Sequence, residues 1–153
     1  MFRGLSSGQI DSKGRITIPA NYRTLMVEEA SGSLVVTIDT EARCLLLYPF
    51  PQWQIIEEKL ESLPSFQPAA RRVQRLLMGH ATDVEMDNHG RILLPPLLRE
   101  YAGLEKRAVL VGQGKKFELW DEGYWDKCRG RWLEEESGSG GSSLPEEVKS
   151  ISL

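Results

Sequence analysis

Two short stretches hold the residues best suited to chemistry. Asp11-Ser12-Lys13-Gly14-Arg15-Ile16-Thr17-Ile18-Pro19 returns as Asp87-Asn88-His89-Gly90-Arg91-Ile92-Leu93-Leu94-Pro95, with Asp, Gly, Arg, Ile and Pro at identical spacing. Four residues past each proline stands another arginine, Arg23 and Arg99. The arginines Arg15 and Arg91 suit DNA, because a guanidinium fork matches guanine O6/N7 and phosphate oxygens. The competing reading is a surface arginine bonded to its own turn aspartate. Lys13 is a flexible point charge suited to phosphate. Asn88 and His89 hold the matching places in the second copy, either as contacts or as plain turn residues. Asp11 and Asp87 admit a different chemistry, since two carboxylates from equivalent halves can share a proton and act as acid and base. The glycine here follows each aspartate by three residues rather than two, and the apolar context is modest, so the aspartates read as turn-structuring.

The elements that must position these residues follow from the same stretches. Asp at the first place and Gly at the fourth favour a type I turn, with the Asp side chain accepting backbone N–H groups two residues on. Gly14 and Gly90 are suited to a positive φ there. Arg15–Ile18 and Arg91–Leu94 read as strands, and each proline reads as the first residue of a helix. Each half is therefore strand, turn, strand, helix, and the chain is an internal duplication.

The remaining order is consistent with that repeat. Residues 1–10 read as a strand around Phe2, Leu5 and Ile10. Pro19–Ala30 reads as a helix with Tyr22, Leu25 and Met26 on one face. Leu34–Ile38 and Cys44–Tyr48 read as a hairpin. Gln52–Ser62 and Gln67–Met78 read as connecting helices, the second closed by Gly79. His80–Glu85 should open the second half, followed by a helix over Pro95–Ala102, strands over Ala108–Val111 and Phe117–Trp120, and a helix over Asp121–Glu136 with Trp125, Cys128 and Trp132 near one face. Asp11 matches Asp87 but Tyr48 matches Trp120, which reads as a four-residue insertion in the first hairpin. Residues 137–143 are a glycine-serine linker, and the last ten residues are either a short helix from Pro145 or without regular structure. The divisions expected are 1–53 as first repeat, 54–79 as connecting helices, 80–136 as second repeat with its helix, and 137–153 as linker and tail.

Composition narrows the function classes. The chain has 153 residues, 41% hydrophobic, with 22 acidic against 19 basic residues and a formal net charge of −3. Weak acidity argues against nonspecific coating of nucleic acid but leaves room for a local basic patch. No apolar run approaches the roughly 20 residues that span a bilayer, and no membrane association is expected. Cys44 and Cys128 are too few and too far apart for a disulfide framework or a zinc site. No phosphate loop, nucleotide fingerprint or nucleophile triad is present, so no cofactor, metal or catalytic residue is expected. A cytoplasmic location is the simplest reading. Arg71, Arg72 and Arg75 form a basic cluster on a helix; Arg71 and Arg75 share a face. It reads as a solvated face or as ion pairs with Glu57, Glu58 and Glu61 of another subunit, ahead of a nucleic-acid patch.

The sequence resembles the MraZ family of bacterial transcriptional regulators over nearly its whole length. The resemblance rests on Met1-Phe2-Arg3-Gly4, both Asp-x-x-Gly-Arg turns, Leu45-Leu46-Leu47-Tyr48-Pro49, Arg91–Pro96, Val111-Gly112-Gln113-Gly114 and Phe117-Glu118-Leu119-Trp120. It implies an α+β, mainly β fold: a pseudo-twofold, swapped-hairpin, AbrB-like β-barrel built from two SpoVT-AbrB repeats with flanking helices. It also implies double-stranded DNA as partner, bound at direct repeats in the chain's own promoter region, upstream of the division and cell-wall operon. It further implies a ring-shaped homo-oligomer, octamer or dodecamer, and a nucleoid-associated location. Two other readings stay open beside it: a structural ring or protein-interaction scaffold without specific DNA binding, and an Asp-pair hydrolase.

Overall fold

A computed structural model describes residues 1–138 and 144–152. The chain divides into two compact units, Met1–Glu122 and Gly123–Leu153. In the first unit, β1 (Leu5–Gln9), β2 (Arg15–Thr17), α1 (Ala20–Ala30), β3 (Ser33–Ile38) and β4 (Leu45–Pro49) form one repeat. Helices α2 (Phe50–Glu61) and α3 (Pro68–His80) lead to the second repeat: β5 (Thr82–Glu85), β6 (Arg91–Leu93), α4 (Pro96–Tyr101), β7 (Arg107–Gly112) and β8 (Phe117–Asp121).

The repeats exchange strands. All pairings are antiparallel, and the large sheet has the order β1-β7-β8-β4-β3-β5. That order gives the same succession of equivalent strands from either edge. Strand β1 of the first repeat lies on β7 of the second, from Leu5↔Val111 to Gln9↔Arg107. Strand β5 of the second lies on β3 of the first, from Ser33↔Glu85 to Val36↔Thr82. The three-residue strands β2 and β6 leave this sheet and pair with each other as a separate ribbon.

The ribbon and the sheet share a core. Ile16 and Ile92, opposite each other in the ribbon, pack with Leu34, Val36, Leu45, Leu110, Phe117 and Leu119 of the sheet. The N-terminus joins this core through Phe2, whose ring meets Tyr22 and Phe117 at 5.2 and 5.1 Å. Tyr22 and Met26 are buried on the inner face of α1, with Leu25 packed at its margin, as the periodicity predicts. On the other face of the sheet Val35, Leu46 and Tyr48 meet Trp53 of α2 and Leu60. Because β3 and β4 bury both faces, they read as continuous apolar runs rather than alternating ones.

Three local expectations are corrected. Gly79 does not close α3, which runs on to His80; the Thr37 hydroxyl donates to the Leu77 carbonyl at 2.6 Å and ties this last turn to β3. Such ties offset the helix penalty of a glycine, about 1 kcal/mol. Pro19 and Pro95 are the residues before their helices rather than the first helical ones. The insertion is also split. Gly8 and Val84 are equivalent 76 positions apart, Leu34 and Ala108 74 apart, and Pro49 and Asp121 72 apart. Half the extra length lies between the ribbon and β3, where α1 has 11 residues against 6 in α4, and only half lies in the hairpin.

Helix α5 (Glu122–Ser137) starts at the last residue of the first unit and supplies most of the second, where Trp125 and Trp132 meet edge-on at 6.0 Å. A short helix α6 (Glu146–Lys149) follows Pro145, the helical alternative for the tail. Of the predicted glycine-serine linker, residues 139–143 lie outside the described residues.

Candidate nucleic-acid interface

The two turns fold alike because each aspartate bonds its own loop. At the first, the Gly14 N–H donates to the Asp11 carbonyl at 3.0 Å, closing a four-residue turn. The Asp11 side chain accepts the backbone N–H groups of Lys13 and Arg15, both at 2.9 Å, and Arg15 Nε at 2.8 Å. At the second, Gly90 N–H donates to the Asp87 carbonyl at 3.0 Å, and the Asp87 side chain accepts His89 N–H at 2.8 Å, Arg91 N–H at 2.9 Å and Arg91 Nε at 2.9 Å. Asp87 is held down to about 2, first by the Arg91 backbone N–H, against the opposing effect of desolvation. Asp11 is lowered the same way, first by the Arg15 backbone N–H.

The arginines are bonded to their turn aspartates, yet only through Nε. Their terminal nitrogens make no hydrogen bond among the described residues, and the side chains are 29% and 31% exposed. The aspartate thus fixes the orientation of the fork and leaves its outer edge available, the edge that matches two acceptors side by side.

The ribbon brings the two arginines together. Ile16 and Ile92 face the core, so alternation places Arg15, Thr17, Arg91 and Leu93 on the opposite face. Arg15 is paired with Leu93 and Thr17 with Arg91. The arginines are diagonal neighbours, about 7–8 Å apart at the backbone. Antiparallel pairing puts the turns at opposite ends of the ribbon: Lys13 beyond the Arg15 end, Asn88 and His89 beyond the Arg91 end, all three exposed. Asp11 and Asp87 are separated by the same geometry. They form no shared-proton pair, and each is pushed down in pKa by its own loop rather than split from a partner.

Arg23 and Arg99, repeated in the sequence but without an assigned role there, prove to be the cross-braces of these turns. An ideal Cβ at Gly14 (φ +85°) would lie 2.6 Å from Cζ of Arg99, and one at Gly90 (φ +75°) would collide with Cδ of Arg23. Each repeat's helix arginine therefore lies over the other repeat's turn glycine. The backbone joins the same partners: Leu94 N–H donates to the Gly14 carbonyl at 2.9 Å, and Ile18 N–H to the Gly90 carbonyl at 2.8 Å. Arg99 Nε also donates to the Leu94 carbonyl at 3.1 Å, whereas the buried Arg23 Nε has no partner. The positive φ favours glycine at both turns, and a Cβ at either would have to displace the other repeat's arginine side chain.

Comparison with known proteins matches residues 1–76 and 77–139 to the family described as "MraZ protein, putative antitoxin-like", one match for each repeat. The chain belongs to the MraZ family. A Coxiella burnetii (strain Dugway 5J108-111) protein named transcriptional regulator MraZ is 61% identical over 153 residues, covering 100% of both chains. A protein of the same name from Legionella pneumophila (strain Corby) is 58% identical over the same full span. A third, from Halorhodospira halophila (strain DSM 244 / SL1), is 50% identical over 153 residues of both chains. The chain is thus similar to MraZ proteins throughout, including α5 and the tail.

Two other clusters lie away from the ribbon. Arg71, Arg72 and Arg75 are exposed on α3 and make no side-chain bond among the described residues. Asp39, Cys44 and Glu118 gather ligating atoms within 4.8 Å of one another, a group the sequence spacing conceals because it spans the two repeats. Cys44 Sγ lies 3.6 Å from Asp39 Oδ2, and Trp120 Nε1 donates to Glu118 Oε1 at 3.0 Å. Burial pushes the Glu118 carboxyl up, with the Trp120 hydrogen bond opposing. Among the described residues no helix is long and apolar enough to cross a membrane.

Proposed function

We propose that this chain is a transcription regulator, not an enzyme, and that it binds double-stranded DNA through the outer face of the β2–β6 ribbon and its two turns. One observation carries the site: the strand exchange sets Arg15 and Arg91 on one face of a two-stranded ribbon, flanked by Lys13 and His89. A two-stranded ribbon fits the major groove, and arginine forks fit guanine there. The regulator name of relatives identical at 61% and 58% over the full length supports the same reading. Lys13, Asn88 and His89 are assigned to the flanking backbone contacts.

The finer assignments belong to the same proposal. The ribbon and the large sheet form the walls of one barrel, as their common core suggests. The chain works as a ring-shaped homo-oligomer on direct repeats in its own promoter region, ahead of the division and cell-wall operon, and is nucleoid-associated. Physical reasoning favours multiplicity. One ribbon offers few cations, and a few phosphate contacts bind weakly; a ring links such contacts by effective concentration. Arg71, Arg72 and Arg75 face acidic residues of a neighbouring subunit in that ring. The net charge of −3 favours the rival reading, a ring that serves protein partners alone.

A gel shift on the DNA upstream of the chain's own gene separates the two. Specific binding whose log K falls with log salt at about −0.9 per phosphate contact is expected. Lys13→Ala should flatten the slope by roughly one unit per engaged subunit. Absence of any preference over scrambled duplex defeats the DNA reading, and an unchanged slope removes Lys13 from the phosphates.

A further inference from the structure

The outer face of the ribbon is not symmetric. Leu93 stands directly opposite Arg15 and is 56% exposed, a large apolar side chain on a face otherwise made of Arg15, Thr17 and Arg91. The core contact of this strand is made by Ile92, fully buried, so no packing inside the chain calls for a leucine at 93. Its counterpart in the first repeat is Thr17, exposed and opposite Arg91. The same contrast recurs at the helix that follows, where Leu97 is 62% exposed and its counterpart is the exposed Asn21. The loop positions differ too, Lys13 against His89. The duplication keeps the arginines equal and lets the residues between them diverge, apolar on one side and hydrogen-bonding on the other.

We propose that Leu93 is a base-reading residue, packing against the C5 methyl of a thymine in the major groove, and that the Thr17/Leu93 difference gives each subunit a direction along the duplex. This rests on the ribbon being the DNA-facing surface. The thymine methyl is the one apolar group that the major-groove edges of the bases present, and aliphatic side chains recognise it by contact. The cations around Leu93 supply the complement to the phosphates that brings it there. Thr17 carries a hydroxyl that both donates and accepts, so it offers the groove hydrogen bonds that Leu93 cannot make. Identical residues at 17 and 93 would leave the base-facing face of the ribbon the same in either orientation of a site. With leucine on one strand and threonine on the other, one orientation wins, and sites that all run the same way suit it.

The test uses the full-length protein and duplexes taken from the DNA upstream of its gene, made with thymine, with uracil in place of thymine, and scrambled. The uracil duplex keeps every hydrogen-bonding group and lacks only the methyl. Wild type should bind it about fourfold more weakly for each methyl contacted, the factor that burying one such carbon supplies. Leu93→Ser, which carries no methyl, should bind the thymine duplex more weakly and shrink the thymine-over-uracil preference by about the same factor. Since Leu93 is exposed, its variant should melt like wild type, and the uracil arm needs no variant at all. Equal binding of both duplexes by wild type, with Arg15→Ala still weakening it, overturns the Leu93 assignment and leaves the DNA reading intact. A thymine-over-uracil preference unchanged in Leu93→Ser also overturns it. Binding no better than to scrambled duplex defeats the proposed function itself, and the inference with it.

Discussion

At the scale of single residues, each turn is a trade between a carboxylate and the loop around it. The aspartate accepts two backbone N–H groups and one guanidinium N–H, and all three bonds favour the ionised form over the protonated one. A carboxyl lowered on folding contributes stability that is present above its ordinary value of 3.8 and is lost as pH falls through the folded value. For Asp87 that window runs from 3.8 down to about 2. Carboxyl NMR titration should therefore show Asp87 with a midpoint near 2 and Asp11 below 3.8. Asp87→Asn should remove part of the acid-dependent loss of melting temperature; an unchanged acid limb would show that the turn does not hold the proton balance. The arginines should behave differently. Arg15→Ala and Arg91→Ala leave both backbone bonds in place and remove partly exposed ion pairs, of a kind that typically contributes about 0–1 kcal/mol. Each should melt close to wild type and more stably than the corresponding Asp→Ala variant, while weakening specific DNA binding by about 1–3 kcal/mol for each base no longer read. Normal operator binding by both variants would take the arginines out of the interface.

At the scale of elements, the question is what fixes the turns relative to the ribbon. The helix arginines do so from the opposite repeat. Alanine at Gly90 meets two penalties: a positive φ, about 1–3 kcal/mol for a residue with a side chain, and a collision with Arg23. Gly103 offers the control, since its φ is +61° and a Cβ there meets nothing within 4 Å. Gly103→Ala should show the backbone penalty alone and cost less than Gly90→Ala in a denaturant melt. Truncating the brace with Arg23→Ala should reduce the cost of Gly90→Ala, and Arg99→Ala that of Gly14→Ala; additive effects in these double-mutant cycles would mean the braces and turns are independent. The turns themselves were legible in the sequence, because Asp-x-x-Gly bonding is local and the repeat displays it twice. The braces were visible only as a recurrence of Arg23 and Arg99. Nothing in local spacing says that a helix arginine reaches the glycine of the other copy. The end of α3 is not legible in the sequence for the related reason that a glycine's local preference yields to a tertiary bond, here Thr37 to Leu77.

At the scale of the molecule, the two repeats are one object because neither closes its own sheet. Strand order is the part of the fold that residue patterns could not supply: β1, with small and polar residues, and the three-residue β2 fit many partners, and only the family resemblance implied an exchange. The register shows it. Removing the second repeat strips β1 of β7, β2 of β6 and β4 of β8, and leaves Ile16 without Ile92 and Leu45 without Leu119. Removing the first repeat does the same to β5, β6 and β8. We therefore propose Met1–Glu122 as the folding unit, with the repeats as its inseparable halves. Residues 1–79 and 80–153 expressed separately should each be insoluble or give collapsed, poorly dispersed NMR spectra. Co-expressed, they should recover one another, because every exchanged strand finds its partner across the cut, which falls within the last residues of α3 rather than in the sheet. A well-dispersed spectrum from either piece alone would show that a repeat folds without its twin. Failure of the co-expressed pair to associate, with each piece unfolded, would show instead that the α3–β5 connection is needed to bring the halves together.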